Sequence, residues 1–416
     1  MALLNSIKRL TDASSLLTID LGAIVHNYKL LNAEFEYRRA DPSLDEDIQC
    51  AAVVKADAYG TGVQNVAPAL AGAGCDMFFV ATLDEAILLR NTLPNIDIAV
   101  LSGLLPNTAP IFAQFNLVPV INDLGQLDRV VEWSRRDGIE VRAILHLDTG
   151  MNRMGLDEKE TATLQKTHRR MYGPQWVCVM SHLACADIPG HEMSARQLSL
   201  FKQRLDKLPE MPVSLANSAG IFLGRDYHFD IARPGIALYG GNPLSSMKNP
   251  MRPVVRLVGR VLQVRTVPSG QTIGYGASFA TKRKMRIATV GCGYADGYMR
   301  TLSDKGHVVH NNRRLPIVGR VSMDAITVDV SEVPENELNQ GDLVELIGEH
   351  MTVDMVAEMA GTIANEVLTS LGQRYRRAWI GAPANDSAEV GQMTLEQMEE
   401  KEEDEGDIWV QETQPS

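Results

Sequence analysis

Short apolar runs alternate with helix-like stretches through the first 240 residues of the chain, and this alternation most constrains the fold. The runs cover residues 16–19, 52–54, 77–80, 98–101, 118–121, 141–145, 176–180, 213–216 and 236–239. Between two of them, Leu198, Phe201 and Leu205 recur at helical spacing. Strand–helix alternation predicts a parallel sheet, and about eight repeats favour a closed (β/α)₈ barrel over an open doubly wound sheet.

The pattern changes after Asn242-Pro243. A long strand-like stretch covers 254–267 and a turn follows at 268–270. Further β-rich runs lie at 287–290, 316–321 and 325–328, interrupted by a helix-like stretch at 355–360. The sequence therefore predicts an α/β chain with a barrel over 1–243 and a mostly β domain over 244–384. Elements within 360–384 could also contribute to the barrel.

The charge of the chain is concentrated at its end. The formal net charge is −12, but residues 386–416 contain 11 acidic residues and one lysine, so the preceding 385 residues are nearly neutral. A nearly neutral body without a basic stripe argues against nucleic-acid binding. The segment 385–416 is predicted to be an acidic, disordered tail, solvated more often than engaged with a partner.

Apolar and cysteine content indicate a cytoplasmic protein. There is no apolar stretch of membrane-spanning length, and the first ten residues do not resemble a secretion signal. The five cysteines are few, odd in number and mostly inside apolar runs, which fits reduced thiols better than a disulfide framework.

The octapeptide Val53 to Gly60 joins a buried strand to a polar loop. Its lysine, Lys55, ends the strand, and Tyr59 follows before the glycines. A partly desolvated lysine has a lowered pKa, which suits Schiff-base formation. The alternative is an ordinary lysine that reaches from a strand end to water.

Other polar residues also follow strand-like runs. In a barrel the active-site residues lie in the loops after the carboxyl ends of the strands. The polar segments here are Asp148 to Gly155, Ser181-His182, Asn217 to Gly220 and Arg233-Pro234-Gly235. Ser218 could begin a phosphate cradle or could simply cap a helix. Arg233 could point at a planar acceptor or lie on the surface, and His182 could be an ordinary core histidine.

One cluster has the look of a metal half-site. Cys178, His182 and Cys185 have suitable spacing, but Cys178 lies within a strand-like run. The sequence also has no second Cys/His pair at the spacing that would complete a metal site. We therefore predict no metal.

The chain resembles the alanine racemases, which pair a (β/α)₈ barrel with a C-terminal β domain and use pyridoxal phosphate (PLP). The matching segments run in the family's order across roughly residues 16–380. They are Val54 to Gly60, Asp148 to Gly155, Ser181-His182, Ala216 to Ala219, Arg233 to Ile236, Ile273 to Gly276, Gly293 to Gly297 and Gly319 to Asp324.

The resemblance implies a reaction with two bases that interconverts L-alanine and D-alanine, supplying D-alanine for peptidoglycan. Lys55 resembles the PLP lysine and first base, and Tyr275 the second base, contributed by the partner of an obligate homodimer. Two bases are needed because a proton leaves one face of the α-carbon and returns to the other.

The remaining site assignments also come from the resemblance. Tyr59, Ser218, Gly235 and Ile236 resemble phosphate ligands, and Asn217 belongs to the same cofactor-binding segment. Arg233 resembles the arginine at the pyridine nitrogen and His182 the residue packed on the ring. Arg153 and Met323 resemble substrate contacts, Tyr294 an active-site gate and Asp324 an entryway residue.

Two positions depart from the family. His146 stands where many members have a carbamylated lysine that orients the arginine matched by Arg153, so that anion must be replaced, dispensed with or supplied by something like chloride. Asn365 stands where a tyrosine usually contacts phosphate. Racemases that act on serine carry asparagine there, so serine is a possible second substrate.

A PLP amino-acid decarboxylase of the same fold is a competing hypothesis, and so is a PLP carrier built on the barrel alone.

Overall fold

The computed structural model describes residues 13–35, 37, 49–136 and 140–381. The predicted acidic tail and the domain boundary at 384 lie outside the described residues. Within them the strands are β1 (Ser15–Asp20), β2 (Gln49–Cys50), β3 (Ala52–Val53), β4 (Met77–Val80), β5 (Asp97–Val100), β6 (Val118–Ile121), β7 (Arg142–His146), β8 (Gln175–Met180), β9 (Val213–Ser214), β10 (Ile231–Ala232), β11 (Val255–Val267), β12 (Thr272–Ile273), β13 (Phe279–Ala280), β14 (Met285–Val290), β15 (His307–His310), β16 (Arg313–Pro316), β17 (Ile326–Asp329), β18 (Leu343–Ile347) and β19 (Arg376–Ile380).

The α-helices of the same residues lie mostly between barrel strands. They are α1 (Leu21–Ala33), α2 (Val63–Gly72), α3 (Leu83–Thr92), α4 (Ala109–Gln114), α5 (Leu124–Arg136), α6 (Glu158–Lys166), α7 (Glu192–Leu205), α8 (Val353–Ala360) and α9 (Ala364–Ser370). None of the described helices is both long and apolar enough to span a bilayer.

The barrel wall is parallel and closes on itself. Strands β3 to β9 pair in chain order, and β10 pairs in parallel with β2, which precedes β3 directly. Between β9 and β10 the amide of Arg233 donates to the carbonyl of Ala216 at 2.8 Å, and that of Asp230 donates to Val213 at 2.9 Å. The predicted (β/α)₈ barrel is therefore confirmed, and the open-sheet alternative is wrong.

Two of the predicted barrel strands are not barrel strands. Run 16–19 lies in β1, which pairs antiparallel with β11 and parallel with β19 in the β domain. Run 236–239 is the 3₁₀-helix Ile236–Tyr239, and the last barrel strand is the two-residue β10 before it. A four-residue apolar run shows that a segment is buried but does not specify its partner strand or its helical state.

The C-terminal part is mostly β, as predicted. Its 13-residue strand β11 is the central element, pairing with β1, β14 and β18. The predicted helix-like stretch corresponds to α8, and α9 follows it. A helix pair thus connects the sheet to the loops of the barrel.

Strand β19 joins the β domain to the barrel segment that follows Lys55. Arg377 Nη1 donates to the carbonyl of Gly60 at 2.7 Å, and Trp379 Nε1 donates to that of Thr61 at 2.8 Å. Buried apolar residues of both parts form one continuous cluster. The fold therefore holds the predicted lysine loop from both sides.

Candidate active site

Most of the polar residues predicted for the site lie at the carboxyl ends of the barrel strands, which meet at one rim of the barrel. Lys55 follows β3, Ser181 and His182 follow β8, Asn217 and Ser218 follow β9, and Arg233 follows β10. The loop that follows β7 carries Arg153. The structure thus gathers residues that are almost 180 positions apart in the sequence.

A left-handed turn follows Lys55. Ala56, Asp57, Ala58 and Tyr59 all have φ between 52° and 55°. Left-handed backbone costs roughly 1–2 kcal/mol per non-glycine residue, so the surrounding structure must hold this turn in place. Glu85 Oε1 accepts from the amide of Ala56 at 2.7 Å, and Asp57 Oδ1 accepts from the amide of Val63 at 2.8 Å.

Lys55 is half-buried among charged groups. Burial is the main cause that lowers its pKa, the Arg153 cation lowers it further, and the Glu85 carboxylate opposes both. An amine with a lowered pKa loses its proton more readily and becomes a nucleophile or base. This environment fits covalent chemistry better than the alternative of a lysine reaching freely into water.

At the end of this turn, hydroxyl and amide groups form a cradle between Tyr59 and Ser218. Gly235 lies so close to Tyr59 that a Cβ at this glycine would fall 2.2 Å from the Tyr59 hydroxyl oxygen. Ser218 Oγ accepts from the amides of Gly235 at 2.9 Å and Ala237 at 3.2 Å. Burial raises the pKa of Tyr59 to about 12, so its phenol stays a hydrogen-bond donor.

The amides that donate to Ser218 belong to a different segment of the chain. They come from the start of the 3₁₀-helix Ile236–Tyr239 and not from residues directly after Ser218. There, Asn217 Oδ1 accepts from the amide of Gly220 at 2.9 Å, where a separate 3₁₀-helix, Gly220–Leu223, begins. Asn217 therefore supports the loop through its side chain.

Arg233 is buried at the rim. Its Nη2 donates to the carbonyl of Ser181 at 2.5 Å, and its Nη1 donates to Ser214 Oγ. Its guanidinium carbon lies 5.9 Å from the centre of the Phe79 ring. Burial lowers the pKa of Arg233 to about 10, so it remains a cation at neutral pH. The surface-arginine alternative is wrong.

His182 lies within reach of several positive charges. Burial first, and then Arg233 and Arg153, hold its pKa well below the ordinary value. The imidazole is therefore neutral at neutral pH. A neutral ring of this kind can pack against another flat ring without adding charge to the site.

The β-domain residues predicted for the site lie on an exposed face. Tyr275 is 69% exposed, Met323 52% and Tyr294 42%. Backbone hydrogen bonds join the last two loops, from Tyr294 to Ser322 and from Ala295 to Met323, each at 3.0 Å. Nearby, Asp324 pairs with Arg374 at 2.7 Å. Within the described chain, no hydrogen bond or ring contact joins Tyr275 to Lys55.

Two supporting residues were missed from the sequence. Glu85 holds the lysine turn, and the Thr82-x-x-Glu85 capping box at the start of α3 was a readable signal for it. Gln197 is fully buried and links two site loops, donating to Thr149 Oγ1 at 3.2 Å and to the His182 carbonyl at 2.9 Å. No sequence pattern distinguishes Gln197 from the other polar residues of α7.

Comparison with known proteins agrees with this geometry. The family model for the alanine racemase N-terminal domain matches residues 19–243, and that for the C-terminal domain matches 254–379. A catabolic alanine racemase of Agrobacterium fabrum is 47% identical over 91% of this chain and 96% of its own. One from Rhizobium meliloti is 44% identical over 89% and 97%.

Solved structures give the same result. A crystal structure of alanine racemase from Bartonella henselae, with covalently bound pyridoxal phosphate, has a TM-score of 0.83 and 41% identity, covering 88% of this chain and all of that one. The biosynthetic enzyme of Pseudomonas aeruginosa has a TM-score of 0.80 and 36% identity, with 88% and 99% covered. On this evidence the chain belongs to the alanine racemase family.

Proposed function

We propose that this protein is a PLP-dependent alanine racemase that interconverts L-alanine and D-alanine. One observation carries the proposal: a half-buried lysine with a lowered pKa lies beside a cradle of hydroxyl and amide donors at the barrel rim. The lysine suits covalent attachment of an aldehyde, and the cradle suits a phosphate group. The related racemases named above support this choice of substrate.

The residues present fit the cofactor. Tyr59, Ser218, Gly235 and Ile236 would hold the phosphate, for which the Gly235 amide would exchange its present acceptor, Ser218 Oγ, and no Cβ at Gly235 obstructs the approach to the Tyr59 hydroxyl. Arg233 would face the pyridine nitrogen and His182 the ring. When bound, PLP supplies an electron sink that acidifies the α-proton of the amino acid. We assign Asn217 to support of this segment.

The protein supplies the proton transfers. Lys55 Nζ would remove or return the α-proton on one face, and Tyr275 Oη on the other. Arg153 would bind the substrate carboxylate, because it is exposed and lies close enough to Lys55 for its charge to lower the pKa of that amine. Met323 would contact the substrate, with Tyr294 and Asp324 at the entrance.

Activity with purified protein tests this proposal. With PLP added, L-alanine should be converted to an equal mixture of enantiomers, measured by chiral chromatography. Release of carbon dioxide would instead identify a decarboxylase. Full PLP loading without turnover of any amino acid would favour a carrier.

The exposed face that contains Tyr275 supports a homodimer with shared active sites. Tyr275, Met323 and Tyr294 are all exposed there, and a patch of exposed aromatic and apolar side chains is typical of an interaction surface. In a symmetric dimer the same surface of each chain meets the other chain, and in the proposed dimer each Tyr275 would act at the Lys55 of its partner.

Mixing two inactive variants is expected to restore activity. Lys55→Ala and Tyr275→Phe chains, unfolded and refolded together, should regain about a quarter of the normal activity, because about half of the dimers are mixed and each has one intact site. The assay is alanine racemisation, with each variant refolded alone as the control. No recovery in a preparation containing mixed dimers would place both bases on one chain.

Asn365 supports serine as a second substrate. Asn365 is half-buried in α9. This helix also lies close to the turn that follows Lys55: a Cβ at Gly60 would fall 2.5 Å from the carbonyl oxygen of Leu368. Asparagine is smaller than the tyrosine usual at this position, which leaves room for a hydroxymethyl side chain.

We expect Asn365→Tyr to lower kcat/KM for L-serine roughly tenfold or more relative to alanine, since one small group in a pocket is worth about that much. Both substrates are measured on the same preparation. Glu358→Gln, at an exposed position of the neighbouring helix α8, serves as the control. An unchanged ratio of serine to alanine activity would contradict the role of Asn365.

We also propose a cytoplasmic location. Cys50, Cys75, Cys178 and Cys292 are buried free thiols. Such thiols are typical of proteins in a reducing compartment.

A further inference from the structure

His146 and Asn122 form a buried pair beside the proposed site. His146 ends β7 and Asn122 directly follows β6, and their side chains are only 8% and 7% exposed. His146 Nδ1 lies 2.7 Å from Asn122 Oδ1. The sequence identified His146 as a departure from the family but gave no partner for it.

The surroundings of Asn122 determine which atom carries the shared proton. Asn122 Nδ2 donates to the carbonyls of Leu101 at 3.0 Å and Val120 at 2.9 Å. A flipped amide would place its oxygen against both carbonyls, so this orientation is fixed. Because Oδ1 has no proton to give, His146 Nδ1 must be the donor. In a neutral imidazole the lone pair then lies on Nε2.

The ring is neutral. Burial is the largest cause that lowers the pKa of His146 to about 3, and the Arg233 and Arg153 cations lower it further against the opposing effect of Asp148. The lone pair on Nε2 is therefore available throughout the neutral pH range.

The loop that carries Arg153 folds directly over this ring. The amide of Leu156 donates to the His146 carbonyl at 2.8 Å, and the amide of Asp148 donates to the Leu156 carbonyl at 3.0 Å. Gly155, with φ of +102°, approaches so closely that a Cβ there would lie 3.1 Å from His146 Cδ2, the atom bonded to Nε2. Within the described chain no hydrogen-bond partner is found for His146 Nε2 or for the guanidinium of Arg153, which is exposed.

We propose that His146 is the positioning residue for Arg153, with its Nε2 accepting one guanidinium N–H in the substrate-bound enzyme. This inference rests on the proposed function only for the role of Arg153. An uncharged acceptor orients the guanidinium without neutralising it, so Arg153 keeps its full charge for the substrate carboxylate. The chain then needs neither a modified lysine nor a bound anion at this position.

A double-mutant cycle tests the coupling. His146→Leu should raise KM for alanine roughly tenfold or more, the usual effect of losing a hydrogen bond to a charged group, with a smaller effect on kcat. His146→Gln, whose amide oxygen can still accept, should retain most of the affinity. In the Arg153→Ala background, His146→Leu should add nothing. An equal effect of His146→Leu in both backgrounds would overturn the proposal.

The controls separate this inference from the proposed function. If Arg153→Ala alone changes neither KM nor kcat, the assigned role of Arg153 fails. If Arg153→Ala raises KM but His146→Leu is additive to it, only the positioning role fails. His168→Leu, on an exposed 3₁₀-helix, is the matched control, and thermal unfolding with PLP absorbance checks that each variant is folded.

A second measurement does not depend on activity. In protein with ¹⁵N-labelled histidine, the His146 resonances are identified by their loss in His146→Leu. They should show a protonated Nδ1 and an unprotonated Nε2. Binding of propionate, which carries the carboxylate of alanine without its amine, should shift Nε2 in the normal protein but not in Arg153→Ala. A protonated Nε2, or a shift that persists without Arg153, would overturn the proposal.

Discussion

Replacing Lys55 with alanine is expected to reduce racemisation by on the order of 10⁴-fold or more, the scale found when a group that acts chemically is removed. Lys55 is the half-buried amine of the site whose lowered pKa favours the nucleophilic form. Alanine also lacks the amine needed for covalent attachment of PLP. The proposed phosphate cradle of Tyr59 and Ser218 does not depend on the lysine side chain and should still bind PLP weakly.

Two measurements check this expectation. Racemisation is followed with PLP in excess, and the visible absorbance of attached PLP is compared before and after dialysis. Lys202→Ala removes an exposed lysine of α7 and should leave both unchanged. If Lys55→Ala retains PLP through dialysis and still racemises alanine, another residue is the cofactor lysine.

Replacing Tyr275 with phenylalanine is expected to slow racemisation roughly 10²–10⁴-fold, the usual contribution of one general acid or base. The substitution removes one oxygen from a side chain that is 69% exposed in the single chain, so the protomer should fold normally. PLP should remain attached, because the proposed cofactor contacts lie on the barrel.

The α-proton identifies the missing base. Since the two enantiomers of alanine have equal energy, kcat/KM for L- and D-alanine must fall equally, and rates alone cannot show which face has lost its base. In deuterated water, however, Lys55 should still exchange the α-proton of one enantiomer without inverting it. Mass spectrometry and chiral chromatography together detect this exchange. Exchange that remains equal for both enantiomers would remove Tyr275 from the pair of bases.

The barrel was predictable because its signal is repeated along the chain. Apolar runs with helical stretches between them predict a parallel sheet even when single runs are misread. Two runs were misread. Run 16–19 belongs to a strand of the β domain and run 236–239 to a 3₁₀-helix. Both segments are buried. An apolar run indicates burial but not whether the segment is a strand or a helix, or which strand it pairs with.

The positions of the candidate site residues were predictable where a motif has fixed spacing. Lys55 and Tyr59 lie in one short loop, and Arg233 and Gly235 in another. The origin of the Ser218 contacts could not be read in this way, because the amides of Gly235 and Ala237 approach from another strand end. The same is true of Gln197, whose partners are 15 and 48 positions away.

By itself the sequence determined the residue types, their order and the periodic burial that makes a barrel with a β domain. It also determined the composition of the proposed site, down to a histidine at position 146. Only the tertiary structure decided that this histidine is neutral with its lone pair on Nε2, since that depends on Asn122 and on two backbone carbonyls that fix its amide. Hydrogen-bond direction and desolvation are properties of neighbours in space, and those neighbours are set when the chain folds.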